Sequence, residues 1–322
     1  MKKKEKTKNP IQPVSGTKVP RFAGPSTFAR LPEMRDVKSC DVAIVGIPFD
    51  AGTSYRPGAR FGPQSIRQAS RHLRTNYHPN YDIEPFKVQQ VADAGDIVCN
   101  PFNINEAIQQ IEKGALDLLN KVGGIISMGG DHTIAFPLLK AVNKINKGPV
   151  ALVHFDAHLD TWDTYFGAPY THGTPFRRAR EENLFLDNAS MHVGIRGPLY
   201  STEDLKNDAE FGFKIIHCDE FQTEGIDKIV KRIRDRVGNN PLYLSIDIDV
   251  LDPAFAPGTG TPEVAGMTTR EIVNVIRGLS GLNLISADVV EVSPAYDHAE
   301  VTSLAAATIV YELTNLFAKI KG

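Results

Sequence analysis

The sequence predicts an α/β domain with a mostly parallel central sheet that is covered by helices on both faces. Short apolar runs of strand type alternate with longer segments whose apolar residues recur at helical spacing. No shift in composition divides the 322 residues into two domains. Polar clusters follow several strand candidates, and in parallel sheets of this kind ligands bind beyond the carboxyl ends of the strands.

Composition and charge are those of an ordinary globular protein. Hydrophobic residues make up 42% and charged residues 23% of the chain, and 36 basic against 38 acidic residues give a net charge of −2. This balance provides no attraction to nucleic acid or to an anionic membrane, so a small-molecule substrate is expected. Three cysteines, with no C-x-x-C pair, indicate no disulfide framework and favour the cytoplasm.

The first 20 residues are expected to form a flexible basic tail. The chain begins MKKKEKTKNP, and no apolar core of signal-peptide type follows the lysines. No uninterrupted apolar stretch of about 18 residues indicates a membrane span. Proline and glycine punctuate residues 9–33, and a single domain is expected over residues 21–322.

Strand and helix candidates follow one another along this domain. The first strand is expected within residues 41–50, and a loop rich in glycine and proline leads from it to a helix at about 63–73. Such a long loop commonly carries function. A strand and turn at 88–97 precede a helix over 103–122. Further strands are expected at 124–128, 150–155, 191–195, 213–218, 242–248 and 284–290, and further helices near 134–145, 202–209, 225–237, 268–279 and 301–319.

The stretch HFDAHLD, residues 154–160, places acidic and imidazole groups where a short buried strand ends. Side chains alternate faces along a strand, so Asp156, His158 and, if the extended form continues, Asp160 are expected to project to one side. Two unpaired carboxylates so close together would repel each other. A metal ion between them is the simplest compensation.

Two further apolar runs end in groups of the same type. LYLSIDIDVLDP, residues 242–253, places two aspartates two positions apart in an apolar strand, where uncompensated carboxylates are costly. GIISMGGDHT, residues 124–133, ends in a turn that offers a histidine. Such ligands suit Mn, Fe, Ni, Co or Zn better than Ca, and four carboxylates would neutralise two divalent ions. A two-metal centre is therefore predicted, with the candidate ligands His132, Asp156, His158, Asp160, Asp247 and Asp249.

These motifs resemble those of the ureohydrolases, the family of arginase, agmatinase and related guanidino-compound hydrolases. GGDHT (129–133), DAHLD (156–160) and SIDIDVLDPAFAPGTGTPE (245–263) occur in the family's order and spacing, and the chain is similar to the agmatinase-like branch. The resemblance implies a three-layer α/β/α, arginase-like fold and two Mn²⁺ ions, with Ni²⁺ as the alternative. It implies one ion held by His132 and Asp160, the other by His158 and Asp249, and bridges from Asp156 and Asp247.

Two catalytic residues are implied by the same resemblance. Glu291, in DVVEVSP at the end of the last strand candidate, matches the family acid that holds the guanidinium, which a carboxylate grips through paired hydrogen bonds. His172, in THGT, matches the histidine that shuttles protons near the leaving group, a role that suits a neutral imidazole near pH 7. Two ions about 3.5 to 4 Å apart would supply hydroxide for attack on the guanidinium carbon.

The expected reaction is hydrolysis of a linear guanidino compound, and agmatine, which yields putrescine and urea, is the first candidate. The loop 163–172 is apolar where the matching loop of arginase is polar, which disfavours arginine. Arg177 and Arg178 would meet the carboxylate of 4-guanidinobutyrate unless they lie on an exposed helix face. Trp162 would narrow the site if it packed there, as a substrate as small as guanidine requires. Guanidinopropionate is a further alternative.

Two hypotheses from other classes remain open. A metallophosphoesterase also combines D-x-H and G-D-H fragments with two metal ions, but the motif order and the acidic strand argue against it. An inactive homologue with a binding or regulatory role is disfavoured because all six candidate ligands are present. The loop PGTGTPE, residues 257–263, is expected to shape the mouth of the site. The resemblance also implies a homotrimer or homohexamer.

Overall fold

A single parallel sheet forms the centre of the computed structural model, which describes residues 9–321. Over these residues the strands are β1 (Val42–Ile47), β2 (Val91–Asp96), β3 (Gly124–Gly129), β4 (Ala151–Phe155), β5 (Met191–Ile195), β6 (Lys214–His217), β7 (Leu242–Asp247) and β8 (Leu284–Val290). Their spatial order is β2-β1-β3-β8-β7-β4-β5-β6, and every neighbouring pair runs parallel. The predicted fold class is confirmed, and the sheet is parallel throughout rather than mostly parallel.

Helices connect these strands. Within the described residues they are α1 (Gly62–Ser70), α2 (Pro85–Val88), α3 (Ile104–Leu119), α4 (Ala135–Asn146), α5 (Pro175–Glu181), α6 (Glu203–Glu210), α7 (Glu220–Glu224), α8 (Ile226–Val237), α9 (Thr269–Gly278) and α10 (Val301–Lys321). Local chemistry sets several starts: the Asn103 side chain accepts from Glu106 N at α3, and Thr268 with Glu271 forms a capping box at α9. The short helices α2, α5 and α7 are absent from the predicted helices, because about two turns or fewer leave no periodic pattern; a helix at α5 was considered only as a possible location of Arg177 and Arg178.

The sheet separates two hydrophobic layers. Along β1, the side chains of Val42 and Ile44 join the layer that contains α1, α8, α9 and α10, whereas Ala43 and Val45 join the layer that contains α3 and α4. This alternation follows from the pleat of a strand that is buried on both faces. The result is the three-layer α/β/α arrangement that the family resemblance implies.

Helix α10 is the central helix of one layer. Its segment Val301–Lys319 is long and apolar enough to span a membrane, but 83% of the most apolar window is buried inside the domain. Two of its polar side chains illustrate that burial: Glu312 pairs with Arg277 and His78, and Asn315 donates to the Tyr311 carbonyl. A helix enclosed in this way is a core helix of the α/β domain.

Part of the predicted basic tail is attached to the domain. Residues 1–8 lie outside the described residues, but Ile11 N donates to Gln90 Oε1 at 2.7 Å and Val14 N donates to Arg30 O at 3.0 Å. The lysine-rich composition of the first residues concealed these contacts, because they are made by the backbone rather than by a recognisable pattern. The segment that packs on the domain therefore begins before residue 21.

The strand order brings four chain segments to the middle of one sheet edge. Strands β3, β8, β7 and β4 are neighbours in space although they are far apart in sequence, as the pairing of Ile125 with Ser286, 161 residues away, shows. Each is followed by one of the polar clusters singled out above. Because all strands are parallel, their carboxyl ends lie on the same edge, and the clusters meet there.

Candidate active site

The six candidate metal ligands lie together at the carboxyl edge of the central strands. His132 begins a 3-10 turn after β3, and Asp131 caps this turn by accepting from Thr133 N at 3.0 Å. Asp247 is the last residue of β7 and caps the turn that follows. The remaining ligands come from the segment after β4 and from that second turn. Five of the six are buried and His158 is partly exposed.

Two groups of ligand atoms share one carboxylate. His132 Nδ1 lies 2.9 Å from Asp160 Oδ2, 3.2 Å from Asp156 Oδ2 and 3.3 Å from Asp247 Oδ2. His158 Nδ1 lies 3.1 Å from Asp249 Oδ2 and 3.3 Å from Asp156 Oδ1. The two oxygens of Asp156 thus face different groups, as expected for a carboxylate that bridges two ions.

The pleat of a strand does not explain this convergence, which corrects the sequence interpretation. Strand β4 ends at Phe155, and Asp160 adopts a left-handed backbone with φ of 54°, so the extended form does not continue through the motif. Asp249 likewise lies in a 3-10 turn, where its N–H donates to Asp247 Oδ1 at 2.8 Å. Tight turns after the strands, rather than alternation along them, aim these carboxylates at one another.

The donor set fits a pair of divalent cations. His132 Nδ1 is buried and makes no hydrogen bond, although three carboxylate oxygens surround it. Its Nε2 lies 2.8 Å from Ser245 Oγ, which itself donates to Asp288 Oδ1 at 2.7 Å. The Ser245 hydroxyl therefore accepts from Nε2–H, and this tautomer directs the Nδ1 lone pair into the cluster. A lone pair that converges with three carboxylates suits a cation at that position.

Without metal ions, protons compensate the charge of the cluster. Burial, then the charges of Asp249 and Asp156, raise the pKa of Asp247 well above its ordinary value. Burial opposes charge on His132 and His158, yet the neighbouring carboxylates raise the pKa of both rings well above the usual range. Burial and Asp156 raise the pKa of Asp249 to about 6. Cations that bind here displace such protons, so metal affinity rises with pH.

Glu291 and His172 lie beside the cluster and contact each other. Glu291 Oε1 accepts from His132 N at 2.9 Å and lies 3.2 Å from His172 Nδ1. Glu291 Oε2 is buried and has no hydrogen-bond partner among the described residues. Glu291 follows β8 with a left-handed φ of 64°, a strained conformation that aims a buried carboxylate at the site. It therefore presents one unused acceptor oxygen.

The surroundings of His172 favour its protonated form in the protein without metal ions. Burial lowers its pKa, but contact with Glu291 and the charges of Asp160 and Asp131 outweigh burial and raise the pKa to about 9. The Ser54 N–H donates to His172 Nε2 at 3.2 Å, however, which requires the neutral imidazole that the sequence interpretation expects, so that expectation stays a prediction. A protonated histidine is suited to donating a proton to a leaving group.

The loop after β1 contacts His172 and Asp131, which agrees with the expectation that so long a loop carries function. Ser54 Oγ lies 2.7 Å from His172 Nε2, and Gly52 N donates to Asp131 Oδ2 at 2.7 Å. A Cβ at Gly52 would lie 2.1 Å from Thr133 Oγ1, so only glycine allows this approach. Burial and the charge of Glu291 raise the pKa of Asp131 to about 7. Sequence reasoning missed Asp131 and Ser54, although Asp131 directly precedes His132 in the motif.

A row of buried polar side chains extends behind Asp156. His154 Nε2 lies 2.8 Å from Asp156 Oδ2, His154 Nδ1 lies 2.7 Å from His192 Nδ1, and His192 Nε2 lies 3.1 Å from Asp208 Oδ1. Burial lowers the pKa of His154 to about 3, so this ring is neutral near pH 7. Sequence reasoning missed the row. His154 was detectable, because it lies in β4 two positions before Asp156, which directly follows the strand, but its distant partners were not.

The rim of the site is aromatic and exposed. Trp162 packs edge-to-face against Tyr165 and Tyr200, with ring centroids 5.8 and 5.5 Å away, and Tyr165 lies 6.5 Å from the His172 ring. Trp162 thus helps to wall the site, as one interpretation of the sequence suggested. Glu263, from the loop 257–263, lies 3.8 Å from His158 Nε2, which places this loop at the mouth.

The two arginines considered for a substrate carboxylate are already paired. Both lie on α5. Arg178 bonds to Asp163 at 2.6 Å and to Glu181 at 2.9 Å, whereas Arg177 bonds to Glu181 at 3.2 Å and packs over Phe211. They lie on a helix face, as the sequence interpretation proposed, but that face is partly buried rather than exposed, with 28% of the Arg177 side chain and 12% of the Arg178 side chain accessible. These acids neutralise both cations.

Known proteins resemble this chain over nearly its whole length. The model of the Arginase family matches residues 40–315. The guanidinopropionase of Pseudomonas aeruginosa is 44% identical over 310 residues, which cover 96% of each protein, and the mitochondrial agmatinase of Gallus gallus is 40% identical over 96% of this chain and 90% of its own. The solved structure of proclavaminate amidino hydrolase from Streptomyces clavuligerus superimposes with a TM-score of 0.89 at 40% identity, covering 94% of this chain and 99% of that one.

Proposed function

This chain belongs to the arginase family of amidinohydrolases, which hydrolyse guanidino C–N bonds, and we propose that its substrate is a linear guanidino compound, with agmatine preferred. The observation that carries this proposal is the unused oxygen of Glu291. Oε2 is buried and lacks a partner among the described residues, while Oε1 is held by the His132 N–H. A guanidinium N–H supplies the missing donor, in a charge-assisted hydrogen bond.

The metal-binding part of the proposal follows from the two ligand groups. His132 and Asp160 would hold one divalent ion, His158 and Asp249 the other, and Asp156 and Asp247 would lie between them. When bound, such a pair of ions lowers the pKa of a water molecule toward neutrality and so supplies the nucleophile. Mn²⁺ is proposed first and Ni²⁺ second, because both accept imidazole and carboxylate ligands.

The protein's own side chains then orient the substrate and move a proton. Glu291 holds the guanidinium with its carbon toward the ligand cluster. Breaking the C–N bond releases an amine, which needs a proton, and the His172 ring, whose pKa is raised to about 9 despite its burial, lies beside Glu291 to supply one. Ser54, 2.7 Å from His172 Nε2, fixes the orientation of that ring. Urea and the protonated amine are the products.

The charges at the mouth support a cationic substrate tail. Glu263 is partly exposed, with 33% of its side chain accessible, and lies 3.8 Å from His158 Nε2. It is therefore an available carboxylate next to the ligand cluster. The arginines of α5, by contrast, are occupied by Asp163 and Glu181. An ammonium tail, as in agmatine, suits this arrangement better than a carboxylate tail.

One observation favours a guanidino acid as the second candidate. The Arg56 guanidinium lies over the rings of Tyr55 and Tyr296, 5.3 and 5.2 Å from their centroids, and forms no ion pair among the described residues. Its carbonyl oxygen and Glu291 Oε2 both lie 3.3 Å from the position of a Cβ on Gly260, so the backbone of Arg56 borders the site. A substrate carboxylate, as in 4-guanidinobutyrate or 3-guanidinopropionate, would meet the Arg56 guanidinium if that side chain turned toward the site.

The deciding experiment measures urea release by protein loaded with Mn²⁺ or Ni²⁺. The substrates are agmatine, 4-guanidinobutyrate, 3-guanidinopropionate, arginine and guanidine. We expect the highest kcat/KM with agmatine, a loss of about tenfold with Glu263→Gln through KM, and little change with the matched variant Arg56→Gln. A preference for a guanidino acid that Arg56→Gln removes would establish the second candidate. Absence of urea from every substrate would overturn the proposal.

Two further assays address the other classes of function. Hydrolysis of p-nitrophenyl phosphate without any urea release would indicate a metallophosphoesterase. Failure to bind Mn²⁺ or Ni²⁺ would revive the inactive homologue. We also propose that the protein acts in the cytoplasm, on the strength of its cysteine usage, and that it assembles as a homotrimer or homohexamer, as the family resemblance suggests. Fractionation and light scattering test these two proposals.

A further inference from the structure

We propose that Asp208 is a positioning residue of the metal centre, and that it orients Asp156 and Asp160 through two separate sets of hydrogen-bonded contacts. The inference rests on the proposed metal centre and concerns residues on the far side of the ligands from the mouth. It assigns a role to the row of buried histidines that extends behind Asp156.

Asp208 is an unusual residue for the helix that carries it. Helix α6, Glu203–Glu210, has one buried residue, and that residue is this aspartate. A buried carboxylate is costly, whereas an apolar side chain would anchor the helix to the domain at no such cost. The carboxylate is therefore retained for the bonds it accepts. Both of these bonds lead to the segment that carries the candidate ligands.

The first set of contacts reaches Asp156. Asp208 Oδ1 lies 3.1 Å from His192 Nε2, and the other nitrogen of that ring lies 2.7 Å from His154 Nδ1. His154 Nε2 then lies 2.8 Å from Asp156 Oδ2. A neutral His154 has one N–H, which donates to Asp156, so its Nδ1 accepts from His192 Nδ1–H, and the contact between His192 Nε2 and Asp208 takes a third proton on one of these two groups. All four side chains are fully buried. Because Asp156 faces both ligand groups, its orientation would affect the binding of both ions.

The second set of contacts reaches the segment of Asp160. Thr161 Oγ1 donates to the same Asp208 oxygen at 3.0 Å, and Thr161 directly follows Asp160. The backbone at Asp160 is left-handed, with φ of 54°, so the turn needs a restraint to hold it. One carboxylate oxygen thus restrains both ends of the ligand segment 156–161.

Aromatic packing holds the side chains of this buried row, His154 and His192, in one arrangement. The His192 ring stacks on Phe213, with centroids 3.9 Å apart and an interplanar angle of 28°. Phe176 packs against His154 with ring centroids 4.3 Å apart and against His132 at 5.2 Å. Rings packed in this way keep their nitrogens in line with the hydrogen-bond partners, which makes the orientation of Asp156 depend on residues far from it in sequence.

The experiment measures Mn²⁺ binding to metal-free protein by calorimetry, together with the electron paramagnetic resonance signal of exchange-coupled Mn²⁺ pairs. Asp208→Leu and His192→Phe remove the polar contacts but keep buried volume. We expect each to weaken binding by about 10- to 100-fold and to alter the coupled signal, because ligand orientation is lost. Thr161→Val should weaken only one of the two binding events, since its contact leads to Asp160.

Three comparisons separate positioning from general stability. Asp208→Asn keeps Oδ1 and replaces Oδ2, which has no hydrogen-bond partner among the described residues, so it should bind Mn²⁺ within about threefold of the wild type. Glu210→Leu, at an exposed position of the same helix, is the matched control and should leave binding unchanged. Melting temperatures show whether each variant is folded. If Asp208→Leu does not fold, Mn²⁺ binding is measured with His192→Gln in its place.

The outcomes are distinct. Wild-type affinity and an unchanged coupled signal in folded Asp208→Leu and His192→Phe would overturn the positioning role while leaving the proposed function intact. Failure of the wild-type protein itself to bind metal would overturn the proposed metal centre and this inference with it. Equal losses in Asp208→Leu and Asp208→Asn would also contradict it, because they would reflect charge rather than hydrogen bonding.

Discussion

The floor and the rim of the site differ in exposure, origin and chemistry. The floor is formed by the six candidate ligands, by Glu291 and by the row of His154, His192 and Asp208, and it is almost entirely buried. Its candidate ligands and Glu291 follow the ends of central strands. The rim comes from loops, and there Phe166 is 99%, Tyr200 77% and Val264 74% exposed. The buried floor is held by many mutual contacts, whereas the rim has few. Reaction chemistry therefore belongs to the floor, and substrate choice belongs to the rim.

The largest expected effect comes from removing the carboxylate shared by both ligand groups. Asp156→Asn should lower kcat/KM by at least about 1000-fold, which is about 4 kcal/mol of transition-state stabilisation, and should reduce Mn²⁺ content to one ion or fewer. Urea release and metal analysis measure the two quantities. The matched rim variant Asp163→Asn should leave metal content unchanged. Full metal occupancy in Asp156→Asn would contradict a shared ligand.

A second substitution, at Glu291, should weaken substrate binding at the floor while leaving the side chains of the candidate metal ligands unchanged. Glu291→Gln keeps an acceptor for the His132 N–H but removes the charge that faces the substrate. We expect kcat/KM to fall by about 100- to 1000-fold while metal content stays the same, since an interaction with developing charge is lost. Steady-state kinetics with parallel metal analysis test this. A loss of metal together with activity would assign Glu291 to the metal centre instead.

The pH dependence of stability tests the charge of His172, which lies beside Glu291 of the floor. In metal-free protein the pKa of His172 is about 9 against an ordinary value of 6.5, so the folded state binds more protons between these values. The free energy of unfolding should therefore fall as pH rises from about 6.5 to about 9, by at most about 3 kcal/mol for this group. Urea denaturation across this range, compared with His172→Gln, isolates the contribution. An identical slope in the variant would refute it.

The smallest effects are expected at the rim. Phe166 is almost fully exposed, so Phe166→Ala should change the free energy of unfolding by less than about 0.5 kcal/mol and kcat by less than about threefold. Thermal denaturation and urea release provide the values, and any larger change should appear in KM. A tenfold loss of kcat would show that this loop closes over the reacting groups and would remove the distinction between floor and rim.

Much of the floor was predictable because its residues follow strands that the sequence makes evident. His132, Asp156 and Asp247 each come at or just after an apolar run, and parallel strands carry such ends to one edge of the sheet. The raised pKa of His172 was not predictable, since it depends on Glu291, 119 residues away. The partners of Arg178 were equally hidden, because neither helix periodicity nor motif order indicates that Asp163 lies beside it.

The sequence by itself determined the layered α/β architecture, the identity of the candidate ligands and the family of the protein, since periodicity and motif spacing are properties of short segments. The family resemblance already implied how those ligands divide into two groups. Only the tertiary structure decided what aims them at one another, because tight turns at Asp160 and Asp249, rather than alternation along a strand, set their directions. It also decided that Asp208 supports the site. Its contact with His192 arises where the exposed helix α6 packs behind β5, and such packing leaves no local sequence pattern.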